Sequence, residues 1–234
     1  MSNTNLNVWN KLAVTDPAHT TTFKRAGGFS GTAVKPIYTI KKMTELFGPI
    51  GQNWGADDVR FETVRADNGE VLVFCTVSVW ARLGGGDDPV AHGIHGVGGD
   101  KVAVLTKDGT LRTNDEAYKM AFTDAVGNAL KYLGMSADVH MGLFDDSKYV
   151  REVSAQITKS AQRDIYDDLL KQIDESPNVN LLAVRWLDPA FQAEMKKLSP
   201  EWQAKVTEEK NDRKKALEAQ EAAHVAQDNR KGAA

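Results

Sequence analysis

Four pairs of adjacent aspartates, Asp57-Asp58, Asp87-Asp88, Asp145-Asp146 and Asp167-Asp168, are the residues that most suggest covalent chemistry, because paired carboxylates can hold the two metal ions of a nuclease. Adjacent side chains diverge, however, and aspartates beside turns commonly cap backbone N–H groups, so these pairs read as turn and cap residues. His92 and His95, in AHGIHG, have no cysteine nearby and sit among glycines, which favours backbone flexibility over a metal site. Cys75 alternates with valines along a predicted strand and reads as a packed thiol. Being the single cysteine, it excludes an internal disulfide and a zinc site built on paired cysteines. No G-x-x-x-x-G-K-[ST] occurs, and the glycines from Gly84 to Gly99 do not spell the G-x-G-x-x-G of a dinucleotide fold. No catalytic constellation survives, and the expectation is a protein that is not an enzyme.

Charge offers more than catalysis does. The net charge over 234 residues is −3, yet between Met1 and Thr44 six basic residues, Lys11, Lys24, Arg25, Lys35, Lys41 and Lys42, face one acid, Asp16. Such a stretch fits the footprint of a polyanion or, equally, a solvated surface. Further along, Lys119, Thr123, Gly127 and Lys131 recur every four residues and therefore share a ridge of a predicted helix. A glycine inside a helix costs about 1 kcal/mol relative to alanine. At Gly127 that cost suits a second backbone passing close by, or packing against a neighbouring strand.

The elements that would position these side chains follow from periodicity. With 41% hydrophobic and 26% charged residues the chain can bury a sizeable core. Its longest apolar run, Val71 to Trp80, is far shorter than the roughly 20 residues of a membrane helix, and no signal-peptide pattern opens the sequence, so a soluble, cytoplasmic protein without membrane contact is expected. Residues 1–36 are polar and glycine-containing and read as a basic, loop-like arm. Ile37, Ile40, Met43 and Phe47 then fall at helical spacing, ended by Gly48-Pro49. Alternation predicts a strand over 59–65, an Asn68-Gly69 turn, and a return strand over 71–83 with both faces largely covered. The stretch from Gly84, with seven glycines before Lys101, reads as a turn-rich connection to a short strand over 102–105. Capping residues at Thr113 to Glu116 open a long helix that runs to Leu133 and ends at Gly134.

Beyond about residue 150 the pattern is helical, over 157–173, 189–198 and 200–227, with 14 basic and 15 acidic residues interspersed as on exposed, salt-bridged helices. Trp186, Leu187, Phe191, Met195 and Leu198 form an apolar stripe that suits the core of a small bundle better than a binding face. The fold class is therefore α+β: an antiparallel sheet of three to four strands packed on a long helix, with a helical C-terminal module. The segments are 1–36 (arm), 37–150 (core) and 151–234 (helical module).

Three stretches resemble a known family: YTIKKMTELFGPIGQNWG from Tyr38, NGEVLVFCTVSVW from Asn68, and DEAYKMAFTDAVGNALKYLGMSADVHMGLFDDSKYV from Asp115. Thr123-Asp124 inside the long helix, followed by Ala129-Leu130-Lys131-Tyr132-Leu133-Gly134, is similar to the signature of the single-strand annealing proteins of homologous recombination, the Rad fifty-two-like superfamily, and its phage branch in particular. The resemblance covers residues 20 to 150. It implies protomers that assemble into rings or filaments and anneal complementary DNA strands without ATP or metal, holding phosphates in a basic groove with bases exposed, in the cytoplasm of a bacterial host. Lys119 and Lys131 match basic positions of the signature helix, and Lys24, Arg25 and Lys35 match by region the basic chain before the first helix; Lys41 and Lys42, off the apolar stripe of that helix, are further candidate DNA contacts. Where nuclear members carry two adjacent basic residues, this chain has Gly127 and Asn128, so that part of the inner contact does not carry over and the amino-terminal arm is the expected substitute, with Asn128 kept as a candidate DNA contact. Residues 151–234 are implied to dock a phage exonuclease or a host single-strand-binding protein. Phe23, Phe29 and Tyr38 could stack bases, with core packing the equal alternative for Tyr38. Two rival functions remain: a strand protector that does not anneal, and a metal-dependent nuclease built on the aspartate pairs.

Overall fold

The computed structural model describes residues 4–24, 27–82 and 90–231. The chain divides into two units, 1–153 and 154–234. The fold class is α+β, with eight α-helices and two antiparallel sheets among the described residues.

In the first unit, α1 (Asn7–Leu12) and the ribbon β1 (Thr20–Lys24) and β2 (Ser30–Val34) precede α2 (Pro36–Phe47). The main sheet follows in chain order: β3 (Trp54–Arg65), β4 (Val71–Arg82), β5 (Val90–Leu105) and β6 (Leu111–Thr113), each antiparallel to the next. α3 (Ala117–Lys131) crosses its inner face, and the short α4 (Ala137–His140) leads into α5 (Ser147–Asp174). Val73, Cys75, Val77, Val79 and Ala81 of β4 are buried beneath α3, together with Met43 and Phe47 of α2 and Trp54 of β3.

Residues 84–89 of the glycine-rich stretch lie outside the described ones, and from Val90 on it departs from its reading as a turn-rich connection, because β5 runs for 16 residues. The reason is contact with the helix. A Cβ on Gly96 would fall on the carbonyl oxygen of Ala125, and one on Gly98 on that of Ala121, so the absent side chains let α3 lie directly on the strand. The helix answers with Ala117, Ala121, Ala125 and Ala129, all fully buried. Bulk is supplied from the neighbouring strand, where Val77 pairs with Gly96 and Cys75 with Gly98.

Three further expectations need correction. β3 starts at Trp54, five residues earlier than alternation indicated, because a bulge between Asp57 and Arg60, with Asp58 at φ 51°, shifts the period. β4 is buried on one face and only partly covered on the other, where Leu72, Ser78, Trp80 and Arg82 are half-buried and Phe74 and Thr76 exposed. The loop-like arm contains a helix and a ribbon. Leu12 lies in the core, and Trp9 packs where a Cβ on Gly134 would sit, 2.6 Å from the indole. Thr15 donates from its N–H and hydroxyl to the buried Asp138, 2.8 and 2.7 Å away, and Tyr149 of α5 donates to the same carboxylate at 3.0 Å. The amino-terminal segment is thereby tied to the turns after α3.

The second unit holds the rest of α5 with α6 (Val179–Leu187), α7 (Pro189–Met195) and α8 (Pro200–Lys231). α6 lies between the helices that periodicity predicts. Asn178 caps it by accepting from the Leu181 N–H at 2.9 Å, and Asp188 caps α7 in the same way through Ala190 at 2.8 Å. Phe191, Met195 and Leu198 of the apolar stripe join Leu169, Leu182 and Val206 in the unit's core, as expected of a bundle, whereas Leu187 is exposed. No helix among the described residues is long and apolar enough to cross a membrane.

Candidate nucleic-acid interface

α3 owes its exposed face to the way its other side is used. With alanines committed to β5, the ridge of Lys119, Thr123, Gly127 and Lys131 turns away from the sheet. Asn114 opens the helix by accepting the Glu116 N–H at 3.1 Å. Thr123 is occupied locally, its hydroxyl donating to the Lys119 carbonyl at 2.9 Å. Lys119 forms an ion pair with Glu116. Gly127 has nothing within 4 Å of where a Cβ would stand, so neither a close backbone nor packing against a strand explains it, and the ridge is open there.

Asn128 and Lys131 are brought together. Asn128 Nδ2 donates to the Val97 carbonyl of β5 at 2.7 Å, and its Oδ1 accepts from Lys131 Nζ at 2.7 Å. A sheet carbonyl thus orients an amide, which in turn orients an ammonium. Only the asparagine–lysine spacing of three on a helix was visible in the sequence as a sign of that link. Near this end of α3, desolvation followed by Asp100 pushes the Asp124 carboxyl up while Lys131 opposes, and desolvation followed by Lys131 pushes the His140 imidazole down.

The other basic candidates lie on separate elements. Lys24 ends β1 and is exposed; Arg25 lies outside the described residues. Lys35 stands at the opposite end of the ribbon, about 16 Å of strand away, and its Nζ donates to the Ala18 carbonyl at 3.0 Å. On α2, Lys41 faces Glu45 at 3.5 Å and Lys42 is half-buried. Tyr38 belongs to the core: its ring stacks on His19 with centroids 4.6 Å apart, and its hydroxyl accepts from the Asp16 N–H at 3.0 Å. Burial raises the Tyr38 phenol above its ordinary value.

The residues that suggested metal chemistry are engaged elsewhere. Asp146 accepts from the Lys148 N–H at 2.8 Å, Asp167 pairs with Arg163 at 3.7 Å, and Asp168 accepts from Gln172 at 2.9 Å. Asp57 and Asp58 flank the β3 bulge, and Asp87 and Asp88 lie outside the described residues. Among the described residues no three His, Cys, Asp or Glu side chains converge as a metal site would need. Cys75 is fully buried, which pushes its thiol up and keeps it protonated.

Compared with known proteins, the chain matches no family model and no curated protein.

Proposed function

We propose that this protein binds single-stranded DNA and anneals complementary strands without ATP, acting as a homo-oligomeric ring or filament in homologous recombination. What supports it above all is Lys131, exposed at the end of α3 and steered by Asn128, on a ridge left open at Gly127 and shared with Lys119. Such a ridge suits phosphate oxygens: ammonium groups bind them without reading sequence, and repetition around an oligomer multiplies a modest local affinity. Recognition then falls to base pairing between the two strands. Lys24 and Lys35, at the two ends of the separate β1–β2 ribbon, are the further ammonium groups of this reading. In this reading the protein works in the cytoplasm of a bacterial host, and residues 151–234 receive a phage exonuclease or a host single-strand-binding protein. That module carries a cleft of about 250 Å³ lined by Leu182, Ala183, Trp186, Lys210 and Lys214.

The test mixes two complementary labelled oligonucleotides with the purified protein in EDTA, without ATP, and follows energy transfer. Pairing faster than in the protein-free control is expected. Binding without acceleration would make the protein a strand protector, and loss of intact DNA on prolonged incubation with magnesium or manganese would favour the nuclease.

A further inference from the structure

Between Asp16 and Glu45 the chain carries no acid, and the β1–β2 ribbon sits in that interval. Its two strands have distinct faces. Phe23 pairs with Gly31 and Thr21 with Ala33, while Lys24 pairs with Ser30 and Thr22 with Thr32, so alternation puts phenylalanine on one side and hydroxyls with an ammonium on the other. A Cβ on Gly31 would stand 3.0 Å from the Phe23 ring and 3.4 Å from the Phe29 ring, so both rings lie over that bare strand position. Their centroids are 6.1 Å apart and tilted by 53°. Phe23 is half-buried, but Phe29 leaves 59% of its surface to solvent at the ribbon's end. An aromatic ring supported from behind and exposed in front, on a ribbon that carries a lysine and no acid of its own, is costly to leave in water, and it suits a partner that is flat, aromatic and anionic.

We infer that Phe29, backed by Phe23 and Gly31, is a stacking platform for a base of single-stranded nucleic acid, with Lys24 on the adjoining phosphate. This rests on the DNA-binding function proposed above and adds a contact to the base rather than to the backbone. Stacking engages the face of a base and leaves its pairing edge free, so the platform does not obstruct annealing. The lysine's long, flexible stem lets the ammonium reach around a two-stranded ribbon to the neighbouring phosphate.

The experiment compares an oligo-dT with an abasic strand of equal length by fluorescence anisotropy. F29A is expected to weaken oligo-dT binding about tenfold, as loss of one stacked base would, and to leave abasic binding unchanged. F29W is expected to restore affinity, with indole emission quenched, relative to the wild type, by oligo-dT and not by the abasic strand. Equal losses on both strands, or no loss on either, would overturn the platform while leaving DNA binding intact. A wild-type protein that binds neither strand would overturn the functional reading as well. A change in oligomeric state of F29A, read by light scattering without DNA, would reassign the ring to a contact between copies and so overturn the proposal.

Discussion

A lysine on a four-carbon stem gives up roughly 1.5–2 kcal/mol of rotamer freedom when a phosphate fixes it, so a side chain already held has an advantage. Asn128 supplies that hold for Lys131, being itself fixed to the Val97 carbonyl. Asn128→Ala is therefore expected to weaken oligo-dT binding by about threefold and Lys131→Ala by about tenfold, as befits a charge-assisted hydrogen bond. The double variant should match Lys131→Ala alone, because the amide acts through the ammonium. Additive losses in an anisotropy titration would instead assign Asn128 its own contact with DNA. At this scale the sequence revealed the four-residue spacing of Lys119 and Lys131, since helical periodicity is local. It could not reveal the partner of Asn128, which lies 31 residues away on another element.

Elements meet where side chains are missing, and the glycines make this testable in both directions. Gly96→Ala would push a methyl into the Ala125 carbonyl, a backbone atom that cannot swing aside, so α3 must lift. About 1–3 kcal/mol of destabilisation is expected in chemical denaturation. Gly127→Ala meets empty space in a helix interior and should stabilise by about 0.5–1 kcal/mol, chiefly by restricting the unfolded chain. A loss of stability there would mean that the ridge is covered. Reading Val90 to Gly99 as turns failed because glycine count alone does not separate a chain that bends from a strand that a helix presses upon. The strand over 71–82 was readable because its inner valines alternate without interruption, whereas the β3 bulge hid that strand's first half. Tyr149, in the first turn of α5, belongs to the first unit. Burial, then the hydrogen bond to Asp138, lifts its phenol from the ordinary 10 to about 12. A phenol whose folded value is raised contributes stability that is complete below pH 10 and lost as pH climbs from 10 to 12, where the unfolded chain ionises first. Melting curves of wild type and Y149F should therefore differ most below pH 10 and converge towards pH 12. A constant gap would show that the phenol is not held.

For the whole molecule, the sign of the long-range field opposes that of the local one. The chain carries −3 overall, so a DNA strand approaching from a distance meets net repulsion, while within a few ångströms of Lys24 or Lys131 it meets attraction. Salt weighs the two differently. At 0.01 M the screening length is about 30 Å and the whole acidic protein is felt; at 0.1 M it is about 10 Å and the nearby lysines dominate. A uniformly basic protein would bind single strands ever faster as salt is removed. Here the association rate, followed by stopped-flow with labelled oligo-dT from 0.3 M down to 0.01 M salt, is expected to rise at first and then level off below about 0.05 M, as repulsion from the rest of the chain gains range. A rate that keeps climbing would mean that the acidic residues, spread over solvated helices such as α5 and α8, are too distant from the binding surface to matter. In that case the local arrangement of lysines alone, assembled from hairpin and helix, would determine how the molecule meets its strand.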